Sequence, residues 1–294
     1  MSGAWGSIPH MTTPSIKLTR SPLAPTPMEL DAQQDAAVAH RGSPLLIAGG
    51  PGTGKTSVLI AAALSRITAG QDPDSILLLT YGRQRASELR DAIALRTTST
   101  MHEPLARTFH SLAYSILKMN SGDSYHEPIL LSGPEQENFI EQLLQGDVED
   151  GYRQWPDDLH DGEGKKGNPL LTQGFIRELR DLIMRANERG ISPDELAQRG
   201  KTVGEKYWAP AADFWKRYKQ VMAIREDAAG DAKMRIDPSE LISVTIAHLL
   251  ANEPLRAQLQ SRFKTIMVDE YQESDPAQRA LLALLTGSDL IIAY

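Results

Sequence analysis

Eight consecutive residues, Gly49 to Thr56, read Gly-Gly-Pro-Gly-Thr-Gly-Lys-Thr and fit the pattern G-x-x-x-x-G-K-[S/T]. Gly49, Gly50, Gly52 and Gly54, with Pro51 and Thr53 between them, let backbone N–H groups curl around phosphate oxygens. A helix starting at the end of such a loop adds partial positive charge. Lys55 is placed to meet β- and γ-phosphates, and Thr56 to offer its hydroxyl to Mg²⁺. The implied ligand is a nucleotide; the competing reading is a glycine-rich turn that binds nothing. Far downstream, Ile266 to Gln272 (IMVDEYQ) sets two acids after an apolar run. Asp269 can hold Mg²⁺ through an oxygen, and Glu270 can orient and deprotonate an attacking water. Alone, such a pair is commonly a solvated strand end. Behind a phosphate loop it is what completes a nucleotide-hydrolysing site.

Elements of the right kind surround these residues. Pro44 to Gly50 is a short apolar run of strand length, and Lys55 to Ala69 has helical spacing with Gly70 at its end. Ser75 to Tyr81 reads as a buried strand, Gln84 to Leu95 as a helix, and Leu105 to Met119 as a strand end running into a helix. Lys264 to Asp269 and Asp289 to Tyr294 read as strands flanking a helix over Pro276 to Leu285 with Asp275 as its cap. Strands alternating with helices predict an α/β fold with a parallel, doubly wound sheet. From about 132 to 262 no continuous apolar strand is found. Capping-box patterns instead start helices at Ser132 to Glu135 and Ser192 to Glu195, and Asp237 to Glu240 has the same shape. Residues 157–168 read as a polar, Gly-rich loop. The expected organisation is a Pro-rich disordered lead-in over 1–27, a first core part over 28–120, a helical insertion over 121–262, and a second core part over 263–294.

Composition narrows the classes. With no cysteine among 294 residues, disulfides, thiolate catalysis and cysteine zinc sites are excluded. No apolar run approaches the 18 or so residues needed to cross a bilayer, and there is no pattern of a secretory signal, so a cytoplasmic location and no membrane partner are the expectation. A net charge of −7 argues against a broad basic nucleic-acid surface, but not against a narrow groove that stacks a single strand.

In order along the chain, further segments resemble the motifs of the UvrD/Rep-type (superfamily 1A) DNA helicases. Leu30-Asp31-Ala32-Gln33-Gln34 with Ala37-Val38 is similar to that family's Q motif. Gly49 to Thr56 is similar to motif I, Leu78 to Tyr81 with Ala86 to motif Ia, and Arg107 to Leu112 to motif Ib. Val268 to Glu273 with Pro276 to Gln278 is similar to motif II. Ile236 to Leu241 resembles the segment leading back from the family's helical 1B subdomain. The chain departs from the pattern at Asp31 (usually Asn), at Gly82-Arg83-Gln84-Arg85 (often T-N-K-A) and at Glu273 (usually Asp).

The resemblance implies a RecA-like P-loop core interrupted by a helical insertion, and a chain that hydrolyses ATP with Mg²⁺ while moving 3′-to-5′ on single-stranded DNA in repair or recombination. Gln34 would read the adenine edge; Gly49, Gly50, Pro51, Gly52, Thr53, Gly54, Lys55 and Thr56 would cradle the phosphates; and Gln272 would link the γ-phosphate to DNA. Thr80, Tyr81, Thr108 and His110 would face DNA. His110 and Tyr81 have bland alternatives as ordinary core or rim residues. The aromatic run Tyr207, Trp208, Phe214, Trp215 and Tyr218 reads as helix core more readily than as a base-stacking surface, and Lys165-Lys166 as a solvated loop. Motif III and the arginine-bearing motifs would begin beyond Tyr294. The expectation is therefore a fragment with little hydrolysis of its own, completed by a second motor domain or subunit, or working beside a nuclease. A non-helicase P-loop enzyme and a structural subunit of a helicase–nuclease complex are the alternatives.

Overall fold

A computed structural model describes residues 28–119, 128–151, 154–159, 167–228, 235–287 and 289–294. The expected lead-in over 1–27 and Lys165-Lys166 lie outside them. Strands β1 (Leu45–Ile47), β2 (Ile76–Thr80), β3 (Ala106–Thr108), β6 (Thr265–Val268) and β7 (Asp289–Ala293) form one parallel sheet in the order β1-β7-β6-β2-β3. The register sets Leu78 beside both Met267 and Ala106, and Leu45 beside Ile291.

The sheet is covered on both faces, which is why β2 and β6 read as unbroken apolar runs. Side-chain alternation sorts them between two cores. Ile76, Leu78 and Met267 pack with Leu59, Ala62, Ala63 and Ile67 of α2 (Lys55–Thr68) and Leu89 and Ile93 of α3 (Arg83–Ala94). Leu77, Leu79, Ile266 and Val268 pack on the opposite face with Leu112 and Ile116 of α4 (Phe109–Met119) and Leu281 and Leu285 of α11 (Pro276–Leu285). Helix α1 (Ala32–Ala39) lies against α2 through Val38.

Helices α5 (Gly133–Glu149), α6 (Gln173–Glu188), α7 (Pro193–Val203) and α8 (Trp208–Ala228) bury a separate cluster. Phe214, Trp215 and Tyr218 sit at its centre beside Trp155 and Phe139, so these aromatics are core, not a stacking surface. Two-residue strands β4 (Ile129–Leu130) and β5 (Arg235–Ile236) pair in parallel and bring the two ends of this helical unit together. Only β5 falls within 132–262, where no continuous apolar strand was expected, and its two residues, Arg235 and Ile236, leave no periodicity to read.

Helices α9 (Leu241–Ala251) and α10 (Glu253–Arg262) differ from the expected grouping. Leu241, Leu249, Leu255 and Leu259 pack in the core with α4 and α11, not with α5 to α8. A helix has the same period whichever core it faces. The caps also sort themselves. Ser132 and Glu135 form a reciprocal box. Ser192 caps α7 alone, because the Glu195 carboxylate turns to Arg199. Asp237 does not cap a helix: its carboxylate takes the Ser239 N–H and hydroxyl in a turn, and α9 starts later.

Candidate functional site

Because the five strands are parallel, their C-terminal ends share one edge, where ligands bind in open α/β sheets. Strand β1 delivers the glycine-rich loop there, β2 delivers Thr80 and Tyr81, β3 delivers Thr108 to His110, and β6 delivers Asp269 and Glu270.

The loop is built for close approach. Gly52 and Gly54 hold φ +77° and +80°, in the left-handed region that favours glycine. At Gly52 the backbone alone selects glycine, since an added Cβ would meet nothing within 4 Å. Gly54 forms the N-cap of α2 with no side chain, so the first N–H groups of that helix are left for an anion. At Gly49 space decides: a Cβ there would stand 2.6 Å from Thr53 Oγ1. Thr53 Oγ1 in turn donates to Gly50 O at 2.8 Å, closing the loop across Pro51 and Gly52. The Lys55 ammonium curls over the loop and donates to the carbonyls of Gly49 (2.5 Å) and Gly50 (3.1 Å). Gln34 reaches the same loop: its Nε2 donates to Thr53 O at 3.0 Å, while its Oε1 accepts from Asp31 N–H.

The decisive convergence is between residues 213 apart. Thr56 Oγ1 donates to Asp269 Oδ1 at 3.1 Å, joining the first turn of α2 to the end of β6. Asp269 is buried, and burial pushes its carboxyl above the usual range against the opposing pull of Arg85 and Thr56. A hydroxyl and a carboxylate side by side are hard oxygen donors that fit Mg²⁺, which takes one or two protein oxygens with phosphates and water for the rest. Among the described residues no three His, Asp or Glu side chains gather to hold a metal by themselves. The next residue, Glu270, adopts φ 53°, ψ 48°, the sole non-glycine in left-handed backbone among the described residues. That conformation costs on the order of 1 kcal/mol or more and turns the chain sharply after the strand. Gln272 Nε2 donates to Glu270 Oε2 and fixes its carboxylate.

Sequence reading missed one member of this group. Arg85, third residue of α3, donates from Nη2 to Thr56 Oγ1 at 2.7 Å and from Nε to Asp269 Oδ2 at 3.3 Å. Burial alone would lower the guanidinium pKa, but the charges and hydrogen bonds of Asp269 and Glu88 together outweigh it and raise it. The signal was present as a departure from the helicase motif Ia, where a small residue is usual.

The four residues expected to face DNA come together in a second feature of the same edge, a cleft of about 880 Å³ between the sheet and the helical unit. Thr80, Tyr81, Thr108 and His110 line it, with Arg83 and Ser111 beside them. Tyr81 is 54% exposed, whereas Thr80 is buried with no partner for its hydroxyl. Gln278, buried on the same wall, likewise has an unpartnered Oε1. His110 keeps an exposed edge, yet crowding by the cleft walls pushes its imidazole pKa down, with Asp275 opposing. Asp275 and Glu188, from α11 and α6, are both held above the carboxylate range, by burial first.

This site lies within a span, residues 30–293, that matches the UvrD/REP helicase N-terminal domain. The chain belongs to that family. It is 27% identical over 280 residues to the ATP-dependent DNA helicase UvrD1 of Mycobacterium tuberculosis, covering 91% of this chain and 32% of the relative. It is 28% identical over 278 residues to DNA helicase IV of Escherichia coli, covering 87% and 38%. To DNA helicase II of the same organism it is 26% identical over 261 residues, covering 87% and 32%. The chain thus spans about a third of the length of these curated relatives. Among the described residues no helix is long and apolar enough to cross a membrane.

Proposed function

We propose that this UvrD/REP-family chain binds and hydrolyses ATP as part of a 3′-to-5′ helicase or translocase on single-stranded DNA. The observation that carries the reading is the meeting of Thr56 and Asp269 at the foot of a glycine-rich loop. The relatives' naming as DNA helicases supports it. The α2 N-terminus and the N–H groups of the loop from Gly50 through Gly52 to Gly54 receive the phosphates, and Lys55 leaves its loop carbonyls for the β- and γ-phosphate oxygens. Gln34, already seated on Thr53, is positioned to meet the base once the loop fills. Thr56 and Asp269 would hold Mg²⁺, which neutralises charge on the phosphate oxygens. Glu270 takes the proton of the water that attacks the γ-phosphorus, and Gln272 keeps its carboxylate aimed. Repair or recombination is the role most in keeping with such a motor.

DNA runs through the cleft of Thr80, Tyr81, Thr108 and His110, with Tyr81 exposed for stacking. Asp275 and Gln278 join this cleft to the acidic pair, since α11 begins a few residues after Glu270.

Binding of a fluorescent ATP analogue with Mg²⁺ tests the reading. Lys55→Ala should weaken it by about 10- to 100-fold, the scale of lost charge-assisted hydrogen bonds. Glu270→Gln should leave binding intact while lowering hydrolysis by about 10²- to 10⁴-fold. Equal binding by Lys55→Ala would refute the phosphate loop, and unchanged turnover by Glu270→Gln would refute the base. Tyr81→Ala should weaken single-strand binding by about 5- to 150-fold; unaltered affinity would move the DNA elsewhere.

A further inference from the structure

A cation already sits on the two groups that would hold Mg²⁺. Arg85 Nη2 lies 2.7 Å from Thr56 Oγ1, and Nε lies 3.3 Å from Asp269 Oδ2. The Thr56 hydroxyl has one proton and two lone pairs. The proton goes to Asp269, and one lone pair takes the Arg85 N–H. Mg²⁺ needs near-ideal geometry at about 2.1 Å from each oxygen, and a guanidinium in hydrogen-bond contact with both oxygens stands in its way.

We propose that Arg85 is a latch on the cation site: it ties Thr56 to Asp269 and must swing away before Mg²⁺ and nucleotide bind together. The inference rests on the nucleotide reading above. Two features make the latch reversible. The Arg85 side chain is 39% exposed although Asp269 is fully covered. A second acceptor is at hand: Arg85 Nη1 already contacts Glu88 Oε2 at 3.3 Å, one turn along α3, on a carboxylate that is 51% exposed. Released from Asp269, the guanidinium keeps a partner and stays in water. The consequence is a Mg²⁺ requirement set by Arg85, so that nucleotide enters as the metal complex and the metal-free form competes poorly for the closed pair.

The test titrates free Mg²⁺ against binding of a fluorescent ADP analogue to the 294-residue chain, with Arg85→Ala and Arg85→Gln beside the parent. Arg85→Gln keeps the stem and removes the charge, and urea unfolding checks that each variant is folded. The latch predicts that both variants reach half-saturation at about ten-fold lower free Mg²⁺, as for loss of one charge-assisted bond that the metal must displace. A half-saturation unchanged within about two-fold, or one shifted to higher Mg²⁺, overturns the latch while leaving the nucleotide site standing. No binding to any of the three proteins at any Mg²⁺ concentration overturns both.

Discussion

Opposite edges of one sheet carry the same three residue types in two different conditions. At the N-terminal edge, Arg66 of α2 meets Asp289 at the start of β7, whose carboxylate also takes the hydroxyl of Thr265 at the start of β6. At the C-terminal edge, Arg85 of α3 meets Asp269 at the end of β6 and Thr56 of α2. The first group is closed. Arg66 is 1% exposed and bonds Asp289 through Nε and Nη2, both at 3.1 Å, with Nη1 on Ala62 O and Nη2 also on His40 O. Thr265 adds a 2.6 Å hydroxyl bond to the same carboxylate. The second group is open: one bond from a half-exposed guanidinium to the carboxylate, and a competing partner in Glu88. Residue type therefore does not distinguish a closed brace from an open cluster. The number of fixed donors and the solvent access of the cation do.

Removing the buried cation should have the largest effect on the fold. Arg66→Ala strands Asp289, only 13% exposed, beside Thr265, and breaking a buried pair costs about 3–5 kcal/mol. Urea unfolding should report that loss; a variant within about 1 kcal/mol of the parent would erase the contrast between the two edges. Titration sharpens it. Burial opposes ionisation of Asp289, but bonds from Arg66 and Thr265 hold its carboxyl below the ordinary value of 3.8. A depressed carboxylate contributes stability above its unfolded pKa and loses it as pH falls through the folded one. The stability gap between the parent and Asp289→Asn should therefore be level from about pH 7 to 5 and narrow below about pH 3.8. A gap that widens on acidification would reverse the sign argued here.

How far this was legible in the sequence depends on the range of each interaction. The glycine-rich loop could be read because eight adjacent residues specify it, and Asp269-Glu270 because a strand end is a local pattern. The pattern alone did not separate the glycines: Gly52 and Gly54 are required by backbone angle, Gly49 by a close neighbour. The α/β order was readable from alternating periods. Arg85 was visible only as an unexplained departure, since its contacts require α3 to start beside α2 and β6, which the strand order decides. The boundary near residue 262 misled because α9 and α10 have the same helical period in either core. Asp237 imitated a cap because an Asp two residues before a Ser makes a turn as readily as a helix start. Phe214, Trp215 and Tyr218 fell to the core as expected from helix spacing. The Gln34 contact to Thr53 joins two local motifs across a loop, and neither motif contains the other.

The smallest effect should come from the open group. Arg85→Ala removes the counter-charge of Asp269, which invites comparison with Arg66→Ala, yet two features soften the loss. The guanidinium is 39% exposed, so solvent already screens much of its attraction, and exposed pairs contribute about 0–1 kcal/mol. The Asp269 carboxyl is also pushed upward by burial and keeps the Thr56 hydroxyl, so it retains a donor after the arginine is gone. Urea unfolding of Arg85→Ala without nucleotide should thus lie within about 1 kcal/mol of the parent, several-fold less than the Arg66→Ala loss. A loss as large as that of Arg66→Ala would mean that both arginines are braces, and the C-terminal edge could not then release its cation cheaply enough to admit a metal.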